Sequence, residues 1–379
     1  MLMDGAGGTA IFRVPFVDLR AAHTEVADEV ELGFKRIMAA AAFIGGEEVL
    51  AFEREYAAYG ALPHCVGVAN GTDALELALR AIGVHPASEV ILPANTFIAT
   101  AEAVARIGAR PVLVDCDPVT YLIDVDAALA SVTPATAAIV PVHLYGQLAP
   151  VERLRTAGVP IVEDAAQCQG ATRHGRAAGS WSIAATSFYP GKNLGAYGDA
   201  GAVVTTDQAI ASRVRAMANH GGGKDRHDVL GWNSRLDALQ AVVLRSKLSR
   251  LARWNDARRA AADRYHALLR PFDVVRPTVV DGNDHVWHLY VVRIPGDGTP
   301  DRRNRVLARL AAAGVTAAVH YPTPVHRAPA FAHLGYPAGA FPHAEAAAVE
   351  ILSLPLYPHI TAEQQEFVVD RLAAALREG

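Results

Sequence analysis

Short apolar segments alternate with helical patterns through the first half of this chain, and that alternation restricts its fold more than any other feature. The apolar segments are continuous, which is typical of strands buried on both faces of a parallel sheet. The predicted strands are 64–69, 89–94, 110–117, 137–145 and 160–166. The predicted helices are 72–82, 97–107, 124–132 and 150–157. The sequence therefore predicts an α/β fold with a mainly parallel central sheet between helices.

The rhythm changes in the last third of the chain. Residues 236–269 have the pattern of one long basic helix or a pair of helices. After them we predict a strand at 286–294, a helix at 302–313, a strand at 315–321 and two closing helices. A smaller C-terminal α+β domain is therefore expected. We predict a large domain at 1–250, with an N-terminal arm, and a small domain at 251–379.

Composition favours a soluble intracellular enzyme over other classes of protein. The net charge is −4 with both signs mixed along the chain, which favours neither a nucleic acid nor an anionic membrane as partner. The three cysteines are widely spaced without a CxxC pair, so neither a disulfide framework nor a metal site is predicted. No apolar run reaches the roughly 18 residues of a membrane helix, and the first ten residues lack signal-peptide features. We expect a cytoplasmic protein.

Several polar or aromatic residues follow the predicted strands, at the edge of an open α/β sheet where ligands bind. Gly71 and Thr72 open a helix whose free N–H groups and positive end suit a phosphate. Phe97 offers a flat face to a ring, while Asp164 and Gln167 end a buried strand. A buried carboxylate is costly unless a cation pairs with it, and such a pair at 4 Å is worth roughly 4 kcal/mol. A positive group is therefore expected beside Asp164.

Lys192 lies in a glycine-rich segment, TSFYPGKNLGAYGDAG (186–201), that follows a further apolar run. A Walker A loop is excluded, because Thr186 stands where its first glycine belongs and Asn193 where Ser or Thr must follow the lysine. A turn with a solvated lysine is the ordinary interpretation of this segment alone. A capped helix and a core aromatic are the ordinary interpretations of Gly71 and Phe97.

One cofactor, pyridoxal 5'-phosphate (PLP), would use all of these positions together. It needs a phosphate cup, an aromatic ring on one face, a carboxylate at the pyridine nitrogen, a donor to the ring oxygen and a lysine for covalent attachment. The carboxylate favours the protonated, electron-withdrawing ring, and the lysine must lose its proton to react. Gly71, Thr72 and Ser187 are the candidates for the phosphate cup, and Phe97 is the candidate for the aromatic ring. Asp164 is the candidate carboxylate, Gln167 the donor to the ring oxygen and Lys192 the lysine for attachment.

The segments IVEDAAQ (161–167) and SFYPGKNLGAYGDAGAVV (187–204) together resemble the nucleotide-sugar aminotransferases of the DegT and StrS type. These enzymes have the aspartate-aminotransferase fold, fold type I of the PLP-dependent transferases. The resemblance extends over most of the chain, through VPFVDL (14–19), ANGTDALELAL (69–79), PVHLYGQ (141–147), GWNSRLDALQAVVL (231–244) and HYPTPVH (320–326).

The resemblance implies a role for each candidate. Lys192 would hold PLP, Asp164 would pair with the pyridinium and Gln167 would bind the ring oxygen. Ser187 with the main chain of Gly71 and Thr72 would bind the phosphate, and Phe97 would stack on the ring. Asn233 matches a residue that reaches the phosphate from the neighbouring subunit, which implies an obligate homodimer with shared active sites. Without the resemblance, Asn233 would be interpreted as a helix cap.

Within this family the chain is most similar to enzymes that aminate position 3 of a dTDP-linked 3-keto-6-deoxyhexose. FYPGKNLG, HLYGQ and NHG…NSRLD carry that similarity. It implies that the substrate meets Tyr189, His320, Tyr321 and a lysine near Lys224. The chain departs from its relatives in GGGKDRH (221–227), and at Cys168 and Gln169, where alanine and histidine are common.

The implied reaction is a transamination for deoxyamino-sugar biosynthesis, in two half-reactions. L-Glutamate, the expected donor, gives its amino group to the cofactor, and the keto sugar then takes it up. Lys192 is expected to move the proton in both halves. Alternatives are a 4-keto-sugar or cyclitol aminotransferase of the same family, and a regulatory protein that binds PLP and a sugar without turnover. The family's dehydratase branch carries histidine in place of Lys192.

Overall fold

A seven-stranded sheet organises the N-terminal part of the protein in a computed structural model, which describes residues 12–223 and 225–377. Its strands are β1 (His64–Val68), β2 (Glu89–Pro93), β3 (Arg110–Val114), β4 (Thr136–Ile139), β5 (Val162–Asp164), β6 (Ile183–Ser187) and β7 (Gly201–Thr205). Two further strands, β8 (Tyr290–Arg293) and β9 (Ile351–Leu354), pair antiparallel in the C-terminal part. Shorter paired segments are Thr172–Arg173, Arg176–Ala177, Gly222–Gly223, Arg226–His227 and Asn283–Asp284.

The strand order of the large sheet is β3-β2-β4-β5-β6-β7-β1. Ladders join the strands within two groups, and single bridges such as Val142 to Asp164 join β4 to β5. Neighbouring strands are parallel except at β7, which runs antiparallel to both β6 and β1. The mainly parallel sheet is therefore confirmed, and the carboxyl ends of β1, β2, β5 and β6 lie along one edge.

In residues 12–223 and 225–377, twelve α-helices surround the sheet and build the C-terminal part. They are α1 (Leu19–Thr24), α2 (Ala27–Ala40), α3 (Glu47–Tyr59), α4 (Gly71–Ala81), α5 (Ile98–Ile107), α6 (Val125–Ala130), α7 (Val151–Leu154), α8 (Gln208–Ala218), α9 (Ala238–Leu268), α10 (Asp301–Ala312), α11 (Pro342–Glu350) and α12 (Ala362–Arg377). Within the described ranges, none of them combines the length and the apolar character that crossing a membrane requires.

Helix α4 shows how local sequence places a functional element. The Asn70 side chain caps it by accepting a hydrogen bond of 2.8 Å from the Asp73 N–H. Its apolar residues from Ala74 to Leu79 are buried in the core that β1, β6 and β7 also line. The first turn of α4 is therefore fixed at the carboxyl end of β1, with its N–H groups at the edge of the sheet.

Three details of the predicted strands are wrong. The strand predicted at 137–145 ends at Ile139, because the chain then turns into a 3-10 helix at Leu144–Gly146. The segment predicted as a strand at 315–321 has no ladder with the described residues and pairs through isolated main-chain bridges at Val315 and Ala318. Strand β9 was missed, since its apolar residues directly follow the apolar pattern of α11.

Helix α9 is one continuous helix of 31 residues. Of the two alternatives predicted for residues 236–269, a single helix is therefore correct and a pair of helices is not. Its C-terminal part packs into a second apolar core with β8, β9, α10 and α12. The predicted domain division at residue 250 falls inside this helix, and that division stays a prediction. The N-terminal segment joins the second core, because Val14 pairs with Val315.

Candidate active site

Asp164 lies buried at the carboxyl end of β5, and its carboxylate is held from two sides. Oδ2 accepts a hydrogen bond of 2.8 Å from Thr100 Oγ1, and Oδ1 accepts one of 3.1 Å from the Ala166 N–H. Thr100 in turn is 2.8 Å from Thr96 Oγ1, in the turn that precedes α5. These contacts fix the carboxylate while leaving it acceptor capacity for a cation.

Gln167 links three parts of the chain at the same edge. Its Oε1 accepts a hydrogen bond of 2.7 Å from the Tyr145 N–H, and its Nε2 donates one of 2.9 Å to Tyr321 Oη. The Tyr145 hydroxyl donates to the main-chain oxygen of His320. Tyr321 also approaches Phe97, with ring centroids 5.4 Å apart. The structure therefore brings Gln167, Tyr321, His320 and Phe97 together.

A narrow cradle forms where the N-terminus of α4 meets the end of β6. A Cβ atom placed on Gly71 would lie 2.5 Å from the Cβ of Ser187, so only glycine permits this approach. Thr72 follows in the first turn of α4 and is partly buried. The side chain of Gln169 supports the cradle, because its Nε2 donates to Thr186 Oγ1 and to the Ser187 carbonyl, both at 2.9 Å. The amide nitrogen of Gln169 is thus well bonded, whereas its Oε1 is buried without a hydrogen-bond partner among the described residues.

Lys192 is partly buried in the turn that follows β6, close to Asp164. Burial lowers the pKa of its ammonium group to about 8, and the Asp164 carboxylate partly opposes that shift. A fraction of the side chain is therefore uncharged near neutral pH, as a nucleophile or a base requires. Lys192 is thus a cation near Asp164, whereas the pyridinium expected at this carboxylate stays a prediction.

Two histidines lie close enough to Lys192 for its charge to affect them. Burial lowers the pKa of His320 to about 4, and the charge of Lys192 adds to the effect. The same two causes lower the pKa of His288 well below its ordinary value. Both imidazoles are therefore neutral at physiological pH. His320 Nδ1 lies 2.9 Å from Ser353 Oγ, and its ring stacks on Phe16 at a centroid distance of 5.4 Å.

The hydrogen bonds of Asn193 fix the tautomer of His288. Asn193 Nδ2 donates to Asn255 Oδ1 and to the Val286 carbonyl, both at 3.0 Å. Its Oδ1 therefore faces His288 Nδ1, at 3.1 Å, and that nitrogen must carry the proton. Nε2 of His288 is then an acceptor.

The remaining predicted residues lie at different distances from this centre. The Tyr189 ring is 58% exposed beside Gly191. Asn233 lies on the surface with its main chain paired to Asn219, and among the described residues its side chain donates no hydrogen bond to the cradle. Lys224 lies outside the described residues. Of the predicted residues that the structure describes, Asn233 is the one whose side chain makes no contact with this centre.

Sequence reasoning missed Thr100, Tyr145, Asn193 and His288. Tyr145 contacts Gln167 from a left-handed conformation, with φ at 61°, which no local pattern signals. His288 reaches the site from just before β8, at long sequence separation. Thr100 had a weak signal, because it lies in the first turn of a predicted helix that follows a strand, four residues after Thr96.

The model of the DegT/DnrJ/EryC1/StrS aminotransferase family matches residues 25–373 of this chain. The chain belongs to that family. This aminotransferase is 46% identical, over 95% of its own chain and 99% of the relative, to the erythromycin biosynthesis sensory transduction protein EryC1 of Saccharopolyspora erythraea. It is 43% identical to the dTDP-3-amino-3,4,6-trideoxy-alpha-D-glucose transaminase of Streptomyces venezuelae, over 94% of this chain and 95% of the relative. The crystal structure of S. venezuelae DesV in complex with a ketimine intermediate has a TM-score of 0.92 at 43% identity, covering 96% of this chain and 98% of that one.

The aminotransferase is a PLP-dependent enzyme of fold type I, which confirms the predicted family, fold class, activity and cofactor. Solved members of similar fold include NtdA of Bacillus subtilis with bound pyridoxamine phosphate, at a TM-score of 0.88 and 30% identity.

The titration of Lys192 can be tested in the cofactor-free protein. Labelling of Lys192 by an amine reagent, followed by mass spectrometry, is expected to rise with pH around a midpoint near 8 rather than 10.5. Asp164→Asn should lower this midpoint further, because the carboxylate raises the pKa of Lys192. A midpoint that stays near 10.5 would contradict the burial of this amine. Since the unfolded chain binds more protons between about pH 8 and 10.5, this group makes stability rise with pH in that window.

Gly71→Ala is expected to weaken cofactor binding. The new methyl group would overlap Ser187 and force the α4 N-terminus and β6 apart, an overpacking that costs about 1–3 kcal/mol. The Kd for PLP, measured by absorbance titration, should rise roughly tenfold or more. Gly223→Ala is the matched control, because a Cβ there meets no heavy atom within 4 Å. Equal affinities in the two variants would refute the cradle.

Proposed function

We propose that this enzyme transfers the amino group of L-glutamate to a nucleotide-linked keto-6-deoxysugar, namely dTDP-3-keto-6-deoxyhexose, and so forms the 3-amino sugar. The observation that carries the proposal is a lysine with a pKa near 8 beside a fixed, buried aspartate at the edge of the sheet. The transaminases of dTDP-3-amino sugars among its relatives, at 43% and 45% identity, support the sugar and the position.

The residues of this chain fit PLP. The cradle between Gly71 and Ser187 has the main-chain donors and the close approach that a phosphate needs, at the positive end of an 11-residue helix. Asp164 suits the pyridine nitrogen, because Thr100 holds its carboxylate in place. Gln167 Nε2 and the Phe97 ring, which is 52% exposed, suit the ring oxygen and the ring face. We assign these roles, and the covalent attachment to Lys192, as part of the proposal.

When bound, PLP supplies an electron sink that stabilises negative charge on the reacting carbon of the amino acid. In the first half-reaction Lys192 Nζ would take the α-proton of the donor and pass it to the cofactor, and in the second it would carry a proton back to the carbon that bore the keto oxygen. Its pKa near 8 suits this role, since both protonation states are populated close to neutral pH. Asp164 keeps the pyridine nitrogen protonated through their mutual attraction.

We assign recognition of the sugar nucleotide to Tyr189, His320 and Tyr321, with Lys224 as a further contact. The two tyrosines present phenol groups, and the neutral His320 presents Nε2, since its Nδ1 is engaged with Ser353. Neutral donors and acceptors of this kind suit sugar hydroxyl and carbonyl groups. Burial, and then the charge of Asp164, raise the pKa of Tyr321, which therefore stays a hydrogen-bond donor.

We also propose that the enzyme works as a homodimer in the cytoplasm, with Asn233 reaching the phosphate of the partner's cofactor. Asn233 is exposed, and the exposed side chains of Phe43 and Ile44 lie beside the same segment, since Ile44 pairs with Asp237. Exposed apolar residues next to a polar donor suit a self-association surface. The cysteines of the described residues are free and buried, which fits a reducing compartment.

A single-turnover experiment tests the substrate. The purified enzyme is converted to its pyridoxamine form with glutamate, and 3-keto or 4-keto dTDP-6-deoxyhexose is added separately. Return of the absorbance band of the lysine-bound cofactor with the 3-keto sugar alone is expected. Return with the 4-keto sugar alone would overturn the position of amination. If the band returns with neither sugar, after a clear reaction with glutamate, the substrate would be a cyclitol or another nucleotide sugar.

A further inference from the structure

One face of α9 carries polar side chains that hold the segment following Lys192. Gln240 Oε1 accepts a hydrogen bond of 2.8 Å from the Tyr197 N–H. Lys247 Nζ donates one of 2.6 Å to the Gly195 carbonyl. Farther along the helix, Asn255 receives the Asn193 amide. Three residues of one helix therefore contact three residues within five positions of Lys192.

Lys247 is the unexpected member of this set. It is 4% exposed, and among residues 12–223 and 225–377 no carboxylate forms an ion pair with it. Burial lowers the pKa of its ammonium group to about 8. A buried cation without a counter-ion is costly, so an apolar side chain would suit packing alone better. The contacts that Lys247 makes are with the Lys192 segment, through the Gly195 carbonyl and the Tyr197 ring, whose centroid is 4.6 Å from Nζ.

Residues 193–197 are folded tightly against the turn that carries Lys192, so a hydrogen bond to Gly195 also restrains Lys192. A Cβ on Gly195 would lie 2.3 Å from the Pro190 carbonyl oxygen, so the two residues are in direct contact on either side of Lys192. The Ala196 N–H donates to the Phe188 carbonyl at 2.8 Å, and the Lys192 N–H donates to the Tyr189 carbonyl at 2.9 Å. Release of Gly195 would therefore loosen the turn that carries Lys192.

We propose that Lys247, supported by Gln240 on the same face of α9, is a positioning residue that fixes residues 193–197 and thereby aims the Lys192 amine at the cofactor. The Lys247 ammonium contacts neither cofactor nor substrate and acts through the main chain of Gly195. The effect of this hydrogen bond on catalysis rests on the proposed role of Lys192. The restraint of Gly195 by Lys247 does not depend on that role.

The test is Lys247→Met, which keeps the length and the apolar stem of the side chain and removes the donor. In the cofactor-free protein, hydrogen exchange of peptides that cover 186–201 is measured by mass spectrometry. Exchange is expected to be roughly 10- to 100-fold faster at the Lys192 and Ala196 amides, as for loss of a hydrogen bond to a charged group. In the loaded enzyme, kcat should fall while KM for the keto sugar stays unchanged. Unchanged exchange in this segment would overturn the proposal.

Arg303→Met is the matched control. Arg303 is also a buried cation, 3% exposed, and it donates to the carbonyls of Ala348 and Ile351 in the C-terminal part. The Arg303→Met variant should unfold at a lower temperature than the wild type, with hydrogen exchange in 186–201 unchanged. An equal change there in both variants would reduce Lys247 to a general stabilising role and overturn the proposal.

If Lys247→Met fails to fold, Gln240→Ala decides the question, because Gln240 is only partly buried and alanine suits a helix. In the Gln240→Ala variant, the Tyr197 amide should exchange several-fold faster than in the wild type. Unchanged exchange would overturn the proposal. The exchange measurement uses no substrate. A wrong assignment of the sugar would therefore appear in the single-turnover experiment alone.

Discussion

Lys192→Ala is expected to lower kcat by about 10⁴-fold or more, the upper range of a general base, because the proposed proton transfer and the proposed covalent attachment both depend on this one amine. The protein should still fold and retain PLP without a covalent bond, since the cradle and Asp164 do not involve the Lys192 side chain. Borohydride reduction followed by mass spectrometry should find the cofactor bonded to the wild-type protein and not to the variant. Release of oxoglutarate from glutamate gives the rate.

Lys35→Ala is the control for this experiment, because Lys35 is an exposed lysine in α2 whose ion pair with Glu31 is of the surface type. It should leave kcat and the covalent bond unchanged. Turnover by Lys192→Ala within tenfold of wild type would show that another group moves the proton. His288 would then be the first candidate, because its Nε2 is an acceptor.

Asp164→Asn is expected to reduce kcat/KM by about 10³-fold. An ion pair at 4 Å and an effective dielectric near 20 is worth roughly 4 kcal/mol, and the neutral amide of the variant loses most of it. The shape of the side chain and its contact with Thr100 are retained, so the loss reports on charge. The absorbance of the bound cofactor, followed against pH, should show the ring nitrogen losing its proton at lower pH than in the wild type.

Asp115→Asn supplies the comparison for Asp164. Asp115 follows β3 as Asp164 ends β5, but its carboxylate caps α11 by accepting from the N–H groups of His343 at 2.9 Å and Ala344 at 2.8 Å. This variant should lose at most about 0.5–2 kcal/mol of stability, measured by denaturant unfolding, with the rate unchanged. If the two variants lost activity equally, charge at the ring nitrogen would not explain the effect of Asp164.

The cofactor-binding candidates could be predicted because each follows a strand or opens a helix. Gly71, Phe97, Asp164 and Lys192 occupy sequence positions that an open α/β sheet brings to one edge, so the pattern of strands was sufficient to group them. The prediction of α4 and α5 succeeded for a related reason, since both have a regular apolar face, and Asn70 caps the start of α4 while Gly108 ends α5.

The residues that sequence reasoning missed depend on contacts between distant parts of the chain. His288 reaches the site, and the Tyr145 hydroxyl finds its partner at His320, only when the C-terminal part packs against the sheet. Lys247 lies in a helix whose pattern is basic, so it has the sequence appearance of a solvated side chain, although the structure buries it. Strand β9 escaped notice because its partner β8 is far away in sequence and its own residues continue a helical pattern.

The pairing of β1 with β7 determines when the site can exist during synthesis. β1 spans residues 64–68 and its partner spans 201–205, so the ribosome must add all of the residues between them first. At about 5–20 residues per second this takes roughly 7–26 s, during which β1 lacks its strand partner. Gly71 and Ser187 are separated by almost the same interval, and Lys247 emerges later still. A nascent chain that ends before Ser187 therefore lacks the cradle proposed for the phosphate, and PLP capture at that site must follow synthesis of about half of the chain.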